Sequence, residues 1–367
     1  MKDIVIVGAG KIGSTIADLL AATGDYAVTL VDQSGERLAG LELSRPVEAA
    51  IADVRDSTAL TRLLDGRFAV VNAAPYHLTI PIAEAAAAVS INYFDLTEDV
   101  VSTRRVKSLA AGSRAVFMPQ CGLAPGFVSI VANDLAKRFD EIDSIRMRVG
   151  ALPRYPSNGL NYNLTWSTEG VINEYCQPCE AILDGELVEV PPLEEREEFS
   201  LDGVTYEAFN TSGGLGTLCE TYLGRVRTLN YRTIRYPGHA AIMKVILNDL
   251  GLRHRRDVLR DILENAVPST MQDVVVIFVT VSGRKSGRLM QETYANRIYA
   301  RNIGSVTRSA IQVTTASAIC AVLDMVAGGL LPDRGFLRQE DVELEPFLSN
   351  RFGTVYATGD ATLRSAA

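Results

Sequence analysis

A short apolar run that leads directly into a glycine-rich turn limits most strongly how this chain can fold. Ile4–Val7 is apolar, Gly8–Gly13 has the form G-x-G-x-x-G, and apolar residues recur at helical spacing from Ile16. In a dinucleotide-binding unit the first glycine makes the turn, the second lets a pyrophosphate approach, and the third lets the helix pack on the strand. A plain strand–helix turn is the alternative. The residues predicted to contact the cofactor here are Gly8, Gly10, Lys11, Ile12 and Gly13.

The end of the next apolar run indicates which dinucleotide is bound. Ala27–Val31 is followed by Asp32, 19 residues after Gly13. A carboxylate at this place accepts hydrogen bonds from the adenosine ribose and repels a 2′-phosphate, so Asp32 favours NAD over NADP. The alternative is a solvated residue at a strand end.

Short strands and helices then alternate up to residue 118. The predicted strands are Ala49–Ala52, Phe68–Asn72, Ile91–Asp95 and Ala115–Met118, and the predicted helices are Ser57–Leu64 (with Ser57 as N-cap), Thr79–Val89 and Val100–Ala111. This alternation predicts an α/β fold with a doubly wound parallel Rossmann sheet, whose ligands lie at the carboxyl ends of the strands. The residues expected at that rim are Asp32, Asp53 (near the adenine), Asn72, Ala74, Pro75 and Tyr76 (near the nicotinamide), Asp95 and Cys121.

The pattern changes after Gly126 and predicts a second, α+β domain with a mixed sheet. Its predicted strands include Ile142–Val149, the almost wholly apolar Asp273–Val281, and an antiparallel partner at Met290–Ile298. The alanine-rich helix Arg308–Ala327 is expected to pack back on the first sheet, and the tail after Thr358 to be frayed. The predicted domains are residues 1–125 plus 306–357 for NAD binding and residues 126–305 for substrate binding and oligomerisation. The active cleft is expected between them.

Composition narrows the classes of partner. The net charge of −8 argues against nucleic acid and anionic membranes, and from the sequence no apolar run is expected to approach the roughly 18 residues that span a bilayer. Met1–Asp3 leads directly into a strand, which predicts a cytoplasmic protein without a signal peptide. Cys176 and Cys179 have the C-x-x-C form, but no second pair exists and the chain has only three histidines. We therefore predict no metal site and two structural thiols.

Six motifs in a fixed order carry a family resemblance. They are Gly8–Gly13, Asn72–Tyr76, Tyr93–Glu98, Cys121–Gly126, Thr165–Gly170 and Arg235–His239. With them the chain resembles the saccharopine dehydrogenase superfamily, and within it the lysine 6-dehydrogenase branch. The resemblance implies NAD-dependent oxidative deamination of L-lysine at its ε-carbon. The product would be 2-aminoadipate 6-semialdehyde, which cyclises, with release of ammonia. A homodimer or homotetramer formed through the second domain's sheet is also implied.

One departure bears on the substrate. Saccharopine-forming relatives carry a segment similar to G-x-D-P-G at this place. In this chain the segment is Gly122–Gly126, and Ala124 stands in place of the acid. Ala124 removes that acid, and Asp32 disfavours the NADP that the saccharopine reductases use, so both residues favour lysine over saccharopine as the substrate. A saccharopine- or carboxynorspermidine-type dehydrogenase is the alternative enzyme, and an NAD-binding sensor or scaffold is the alternative outside catalysis.

The chemistry of such a reaction suggests the remaining site residues. A lysine ε-ammonium has a pKa near 10.4, so freeing the amine at pH 7 costs roughly 4.6 kcal/mol and requires a base or desolvation. The candidates are Asp95, Glu98, Tyr76 and His239, of which Asp95, His239 and Tyr76 are assigned to catalysis as well as to substrate contact.

The substrate's carboxylate calls for an arginine, because a guanidinium grips it with two hydrogen bonds. Arg235 is the first choice, with Arg225 and Arg154 as rivals. Asn163 and Trp166 are expected to line the substrate cavity. Each of these residues also has a structural alternative as a cap, a core side chain or a surface ion pair.

Overall fold

The strand–helix alternation of the first part of the chain forms one parallel sheet. Its strands are β1 (Lys2–Val7), β2 (Tyr26–Asp32), β3 (Glu48–Ile51), β4 (Ala69–Asn72), β5 (Asn92–Asp95), β6 (Val116–Met118) and, much later in the chain, β17 (Gly335–Phe336). Their order is β17-β6-β5-β4-β1-β2-β3, and every neighbouring pair is parallel. The predicted doubly wound Rossmann sheet is confirmed, with β17 as a seventh strand that the sequence pattern did not predict.

The register of this sheet decides which residues share its rim. Val7 pairs with Asn72, Asn72 pairs with Asp95, and Asp32 pairs with Ile51. The carboxyl ends of these strands therefore lie at one edge, where a doubly wound fold binds its ligands.

Helices cover the sheet between the strands. They are α1 (Lys11–Ala22), α2 (Gly35–Ala39), α3 (Ser57–Leu64), α4 (Thr79–Val89), α5 (Val100–Ala110) and α6 (Phe127–Ala136). The predicted N-cap of α3 was wrong by one residue, because Asp56, not Ser57, accepts hydrogen bonds from the Thr58 and Ala59 amides. A carboxylate caps more strongly here because it accepts both amides through one oxygen and faces the positive end of the helix.

The middle of the chain forms a mixed eight-stranded sheet. Its strands are β7 (Glu141–Pro153), β8 (Cys179–Leu183), β9 (Glu186–Val190), β10 (Glu197–Leu201), β11 (Val204–Asn210), β12 (Val226–Arg235), β13 (Asp273–Lys285) and β14 (Arg288–Tyr299). The main path is β10-β11-β12-β7-β13-β14, and β8 joins β12 to β9. The next two strands, β15 (Arg301–Ile303) and β16 (Val306–Arg308), form a separate two-stranded sheet. β13 is antiparallel to β14, as predicted. Helices α7 (Thr168–Cys176), α8 (Leu218–Tyr222), α9 (His239–Lys244) and α10 (Arg256–Ala266) accompany it.

One face of this second sheet carries a core that includes aromatic side chains. Tyr162, Tyr175 and Phe209 pack there with apolar residues of α7, α9 and α10, and Trp166 lies against the same cluster. On the opposite face Tyr206, Ala208 and Ile234 belong to a separate cluster. Alternation along β11 and β12 separates the two sets, as the two-residue period of a strand requires.

The long helix α11 (Ala310–Ala327) corrects the sequence prediction about apolar runs. It has 18 residues, is long and apolar enough to cross a bilayer, and is 72% buried within the fold. Asp324 on this helix accepts a hydrogen bond from the Tyr26 hydroxyl of β2, at 2.6 Å. A buried core helix has the same length and composition as a spanning one, and α11 packs as a core helix of the first sheet.

The computed structural model describes residues 1–358, so the tail for which fraying was predicted lies outside the described residues. The chain divides into two compact units. The N-terminal unit consists of residues 1–130, residues 302–308 and residues 312–358, including α12 (Leu344–Ser349). The second unit consists of Val131–Arg301 and Ser309–Ile311.

Candidate cofactor and substrate sites

The glycine turn has a physical reason for each glycine. Gly8 has φ +103°, and a Cβ there would lie 2.7 Å from the Ala73 carbonyl oxygen. A Cβ on Gly13 would lie 1.8 Å from the Gly8 oxygen, so only glycine lets α1 start this close to β1. Gly10, by contrast, has no atom within 4 Å of a Cβ position. The open side of the turn is therefore at Gly10, where a pyrophosphate would approach the amides of Lys11 and Ile12 at the start of α1.

Asp32 lies at the end of β2 and is engaged by the neighbouring backbone. Its Oδ2 accepts the Ala9 amide and its Oδ1 accepts the Ser34 amide, both at 2.9 Å. Burial opposes ionisation, but these hydrogen bonds and the nearby Arg37 guanidinium together hold the pKa of Asp32 below its usual range. Asp32 is therefore a carboxylate at neutral pH, as ribose recognition requires.

Arg37 is a residue at this site that the sequence analysis missed. Its Nη1 lies 3.3 Å from Asp32 Oδ2, and more than half of its side chain is exposed. The Ser34 side chain caps α2 and places Arg37 in the first turn of that short helix. An S-x-x-R spacing directly after a β2 aspartate is the signal that could have indicated it. A cation beside the ribose position offsets part of the repulsion that Asp32 exerts on a 2′-phosphate.

Asp53 follows β3 and is paired with Arg55. Its carboxylate is gripped by Arg55 through Nε and Nη2, at 2.9 and 2.7 Å, and the hydrogen bonds from Arg55 lower the pKa of Asp53 to about 2. The pair is largely exposed at the sheet edge beyond β3. The predicted contact of Asp53 with the adenine stays a prediction.

A chain of hydrogen bonds joins the ends of β4 and β5. The Asn72 side chain accepts the Ala74 amide at 3.0 Å and donates to the Tyr93 hydroxyl at 3.2 Å. Tyr93 in turn donates to Asp95 Oδ2 at 2.8 Å. Asn72 thus fixes the backbone that leads to Pro75 and Tyr76, which are exposed at the rim.

Asp95 is fully buried and organises the loop after β6. Its Oδ1 accepts the amides of Thr97 and Gln120 at 3.0 and 2.9 Å, in addition to the Tyr93 bond on Oδ2. Burial raises the pKa of Asp95 to about 6, although all three hydrogen bonds act in the opposite direction. This geometry supports a positioning function, and the predicted proton transfer by Asp95 stays a prediction. Burial and the Asp99 carboxylate also raise the pKa of the half-buried Glu98, to about 7.

Cys121 lies in the loop that Asp95 holds. Its thiol donates to the Met118 carbonyl at 3.0 Å, and the Gln339 amide donates to the sulfur at 3.5 Å and to the Pro119 carbonyl at 3.0 Å. Burial, followed by the Asp95 charge, raises the pKa of the Cys121 thiol well above its usual range. Cys121 therefore stays a protonated thiol rather than a nucleophile. Gln339, which follows β17, is a second residue that the sequence analysis missed.

In the second unit the structure brings Arg235 and His239 together through a third residue, Tyr175. Arg235 Nε donates to the Tyr175 hydroxyl at 2.9 Å, and that hydroxyl lies 3.1 Å from His239 Nε2. His239 Nδ1 lies 2.9 Å from the Leu160 carbonyl, so Nδ1 carries the hydrogen and Nε2 accepts from Tyr175. All three side chains are at most 2% exposed.

The charges of this trio follow from its burial. Burial, reinforced by the neighbouring Arg235 charge, lowers the pKa of His239 to about 3, so the imidazole is neutral. Burial keeps the pKa of Tyr175 above its usual value despite Arg235. Arg235 also lies over the Tyr162 ring, with Cζ 4.9 Å from the centroid. The predicted base His239 already uses Nε2 as an acceptor in this arrangement, and its catalytic function stays a prediction.

The other predicted substrate residues lie on the segment that carries Tyr162. Asn163 is 5% exposed, and its Oδ1 has no hydrogen-bond partner within residues 1–358. Trp166 is half-buried against the same core, so close that a Cβ on Gly170 would meet its ring at 2.4 Å. The rivals of Arg235 are both exposed: Arg154 lies over the rings of Tyr155 and Tyr299, and Arg225 over that of Tyr222.

The remaining cysteine pair has the properties of structural thiols. Burial raises the pKa of Cys176, which ends α7, and raises that of Cys179, which begins β8, to about 12. Thiolates are required for metal binding and for disulfide exchange, so both pKa shifts disfavour these functions.

Comparison with known protein families accounts for both units. Residues 4–116 match the saccharopine dehydrogenase NADP binding domain, and residues 122–350 match the saccharopine dehydrogenase C-terminal domain. The chain belongs to the saccharopine dehydrogenase family. It is thus an oxidoreductase of that family with an NAD(P)-binding N-terminal domain. The family does not distinguish NAD from NADP for this chain.

Relatives within the family are distant. Mitochondrial alpha-aminoadipic semialdehyde synthase of Rattus norvegicus is 20% identical over 315 residues, which cover 81% of this chain and 33% of that protein. Saccharopine dehydrogenase [NADP(+), L-glutamate-forming] of Saccharomyces cerevisiae is 20% identical over 261 residues, 68% of this chain and 58% of that protein. The chain thus spans about a third to somewhat over half the length of these relatives.

Two solved structures show the same fold. Apo saccharopine dehydrogenase (L-Glu forming) from Saccharomyces cerevisiae superposes with a TM-score of 0.77 at 17% identity, covering 94% of this chain and 96% of that one. The homospermidine synthase of Legionella pneumophila, solved in complex with NAD, gives a TM-score of 0.69 at 13% identity and covers 97% and 89%. At these identities the likeness establishes the fold.

Proposed function

We propose that this member of the saccharopine dehydrogenase family oxidatively deaminates L-lysine at the ε-carbon with NAD as the cofactor. The observation that carries this proposal is the state of Arg235. Three arginines are buried among residues 1–358; Arg148 is paired with Glu197 and Arg308 with Asp18, but Arg235 has no carboxylate within ion-pair distance. The Glu174 charge acts on it only from farther away.

A buried cation without an anion is costly, so such a site favours a ligand that brings one. A guanidinium recognises a carboxylate with two parallel hydrogen bonds, which fits the α-carboxylate of an amino acid. One unpaired buried arginine matches lysine, with its single carboxylate, better than saccharopine, which carries a second carboxylate-bearing arm. Ala124 in place of the acid of saccharopine-forming relatives supports the same choice.

In the reaction the ε-carbon loses a hydride and the ε-amine loses a proton, which leaves an iminium. Water then adds to the iminium carbon, ammonia departs, and the resulting aldehyde cyclises with the α-amine. The bound dinucleotide supplies the hydride acceptor. Gly10 and the start of α1 would hold its pyrophosphate and Asp32 its ribose, which supports NAD. Because free amine increases tenfold per pH unit below pKa 10.4, we expect the rate to rise towards alkaline pH.

The test compares L-lysine with cadaverine, which has the same ε-amine but lacks the carboxylate. NADH and ammonia should form from L-lysine and NAD, whereas saccharopine should give no NADH. Arg235→Gln should raise the KM for lysine roughly 10- to 100-fold and change that for cadaverine far less, since hydrogen bonds to a charged group contribute about 1.5–3 kcal/mol.

Arg232→Gln is the matched control. Arg232 lies on the same strand but is ion-paired with Glu195 and Glu197. It should leave the ratio of the two KM values unchanged. Equal losses on lysine and cadaverine in the Arg235 variant would identify Arg235 as structural, and absence of lysine-dependent NADH in the wild type would exclude the lysine reaction.

A further inference from the structure

The buried hydroxyl of Tyr175 connects the side chains of Arg235 and His239 in the second unit. Tyr175 lies on α7, outside the motifs that carry the family resemblance, and is 1% exposed. Its oxygen accepts from Arg235 Nε at 2.9 Å and its hydrogen goes to His239 Nε2 at 3.1 Å. His239 is itself held by the Leu160 carbonyl through Nδ1, at 2.9 Å. Arg235, Tyr175 and His239 thus form a hydrogen-bonded chain, here called the relay, whose His239 end is bound to the backbone.

We propose that Tyr175 is a positioning residue for substrate binding, which fixes the Arg235 guanidinium so that its Nη edge receives the substrate carboxylate. The inference rests on the proposed function for the identity of the substrate. Tyr175 acts through Arg235 and needs no contact with the substrate.

The donors of Arg235 support this orientation. A guanidinium has five N–H donors, and the described residues use two of them: Nε–H binds Tyr175, and Nη1 binds the Ile234 carbonyl at 2.9 Å. The remaining hydrogens on Nη1 and Nη2 form the fork that grips a carboxylate with two bonds. Contacts with the Tyr162 and Tyr175 rings, 4.9 and 5.8 Å from Cζ, restrain the plane of the guanidinium.

The relay also leaves the positive charge of Arg235 available. His239 is neutral because burial and Arg235 depress its pKa, and Tyr175 is neutral because burial raises its pKa. Neither partner neutralises the guanidinium as a carboxylate would. The relay thus fixes the direction of the cation without reducing its charge, which is what recognition of an anionic group requires.

The experiment removes only the Tyr175 hydroxyl, with Tyr175→Phe. The KM for L-lysine should rise about tenfold while kcat stays within about threefold, because positioning affects ground and transition states alike. The KM for cadaverine should stay within about twofold of the wild-type value. Tyr206→Phe is the control, since Tyr206 is 2% exposed but packs on the opposite face of the sheet. Equal KM changes for both substrates, a loss in kcat alone, or the same split in the control would overturn the proposal.

Two His239 variants test the relay if Tyr175→Phe does not fold. His239→Gln keeps an acceptor for the Tyr175 hydrogen and His239→Leu does not. The lysine KM should therefore rise more in the leucine variant. Equal lysine KM values for both variants would contradict the relay.

A binding measurement separates this inference from the proposed reaction. L-Norleucine carries the head group of lysine but no oxidisable ε-amine, and Trp166, the only tryptophan, packs against the Tyr162 core. The fluorescence of Trp166 should report norleucine binding, and the affinity should be about tenfold weaker in Tyr175→Phe than in the wild type. If lysine gives no NADH, the reaction is refuted while this titration still decides the inference. Equal affinities, or no binding by either protein, would refute the positioning function.

Discussion

Asp95→Asn should change how stability depends on pH, because Asp95 is a buried carboxyl group whose pKa is raised from 3.8 to about 6. The folded-state pKa lies above the unfolded value, so ionisation favours the unfolded chain. Stability is greatest below about pH 4 and falls as the pH rises through 6. At 1.36 kcal/mol per unit the full loss is roughly 3 kcal/mol, about half of it between pH 5 and pH 8.

Asparagine keeps two of the three hydrogen bonds of this site, because its Oδ1 can accept the Thr97 and Gln120 amides that Asp95 Oδ1 accepts now. The Tyr93 hydroxyl loses its acceptor, but this cost is the same at every pH in the range and does not change the slope. Since asparagine has no proton to lose and gains no charge as the pH rises, the free energy of unfolding of the variant should fall less than that of the wild type from pH 5 to pH 8. The expected difference is about 1.4 kcal/mol.

The assay is urea unfolding followed by circular dichroism at several pH values. Asp53→Asn is the matched control, because Arg55 holds the pKa of Asp53 at about 2 and its charge is constant over this range. Parallel pH profiles for wild type and Asp95→Asn would refute the reasoning. Activity adds a second test: a positioning residue keeps most of its kcat in this variant, whereas a loss above about 100-fold would show proton transfer by Asp95.

Three further predictions concern the N-terminal unit and the start of α11. Gly10→Ala should fold normally, because a Cβ at residue 10 meets no other atom, but it should weaken NAD binding measured by calorimetry. Gly13→Ala should prevent folding, as seen by circular dichroism, because its Cβ would collide with the Gly8 carbonyl oxygen. Asp32→Ser should lower the ratio of kcat/KM for NAD to kcat/KM for NADP, and Arg37→Gln should raise it. An unchanged ratio in both variants would show that neither residue lies at the ribose site. Asp273→Ala should lower the free energy of unfolding by roughly 1–2 kcal/mol, because Asp273 accepts the Ala310 and Ile311 amides at the start of α11; an unchanged urea midpoint would contradict this.

The sequence predicted those features that depend on local pattern. Alternating strands and helices predicted the parallel sheet, and the glycine spacing located its turn, because Gly8 and Gly13 lie where a side chain would meet the backbone and Gly10 lies where the turn is open. The strand-end rule placed Asn72 and Asp95 at one edge, and their registers bring them there. The two-residue β17 was not predictable, since so short a segment has no period to recognise.

The site residues that the sequence did not predict are those whose partners lie far away in the chain. Tyr175 lies on a helix whose pattern indicates only an aromatic residue of the core. Its proposed function became evident only from the structure, in which Arg235 Nε on β12 lies 2.9 Å from the Tyr175 hydroxyl. Gln339 is likewise an ordinary polar residue in sequence until β17 carries it to Cys121. Pattern also suggested His239 as a base, but it could not show that Leu160 and Tyr175 occupy both ring nitrogens.

The late arrival of β17 affects how the protein is made. Gly335 and Leu337 donate to the carbonyls of Ala115 and Phe117 on β6, so the ribosome must synthesise the entire second unit before the first sheet can close. During that interval β6 presents an unpaired edge, which is a template for pairing with another nascent chain. The first sheet is thus completed only after the second unit has been synthesised, although β1 precedes every other strand of that sheet in the chain.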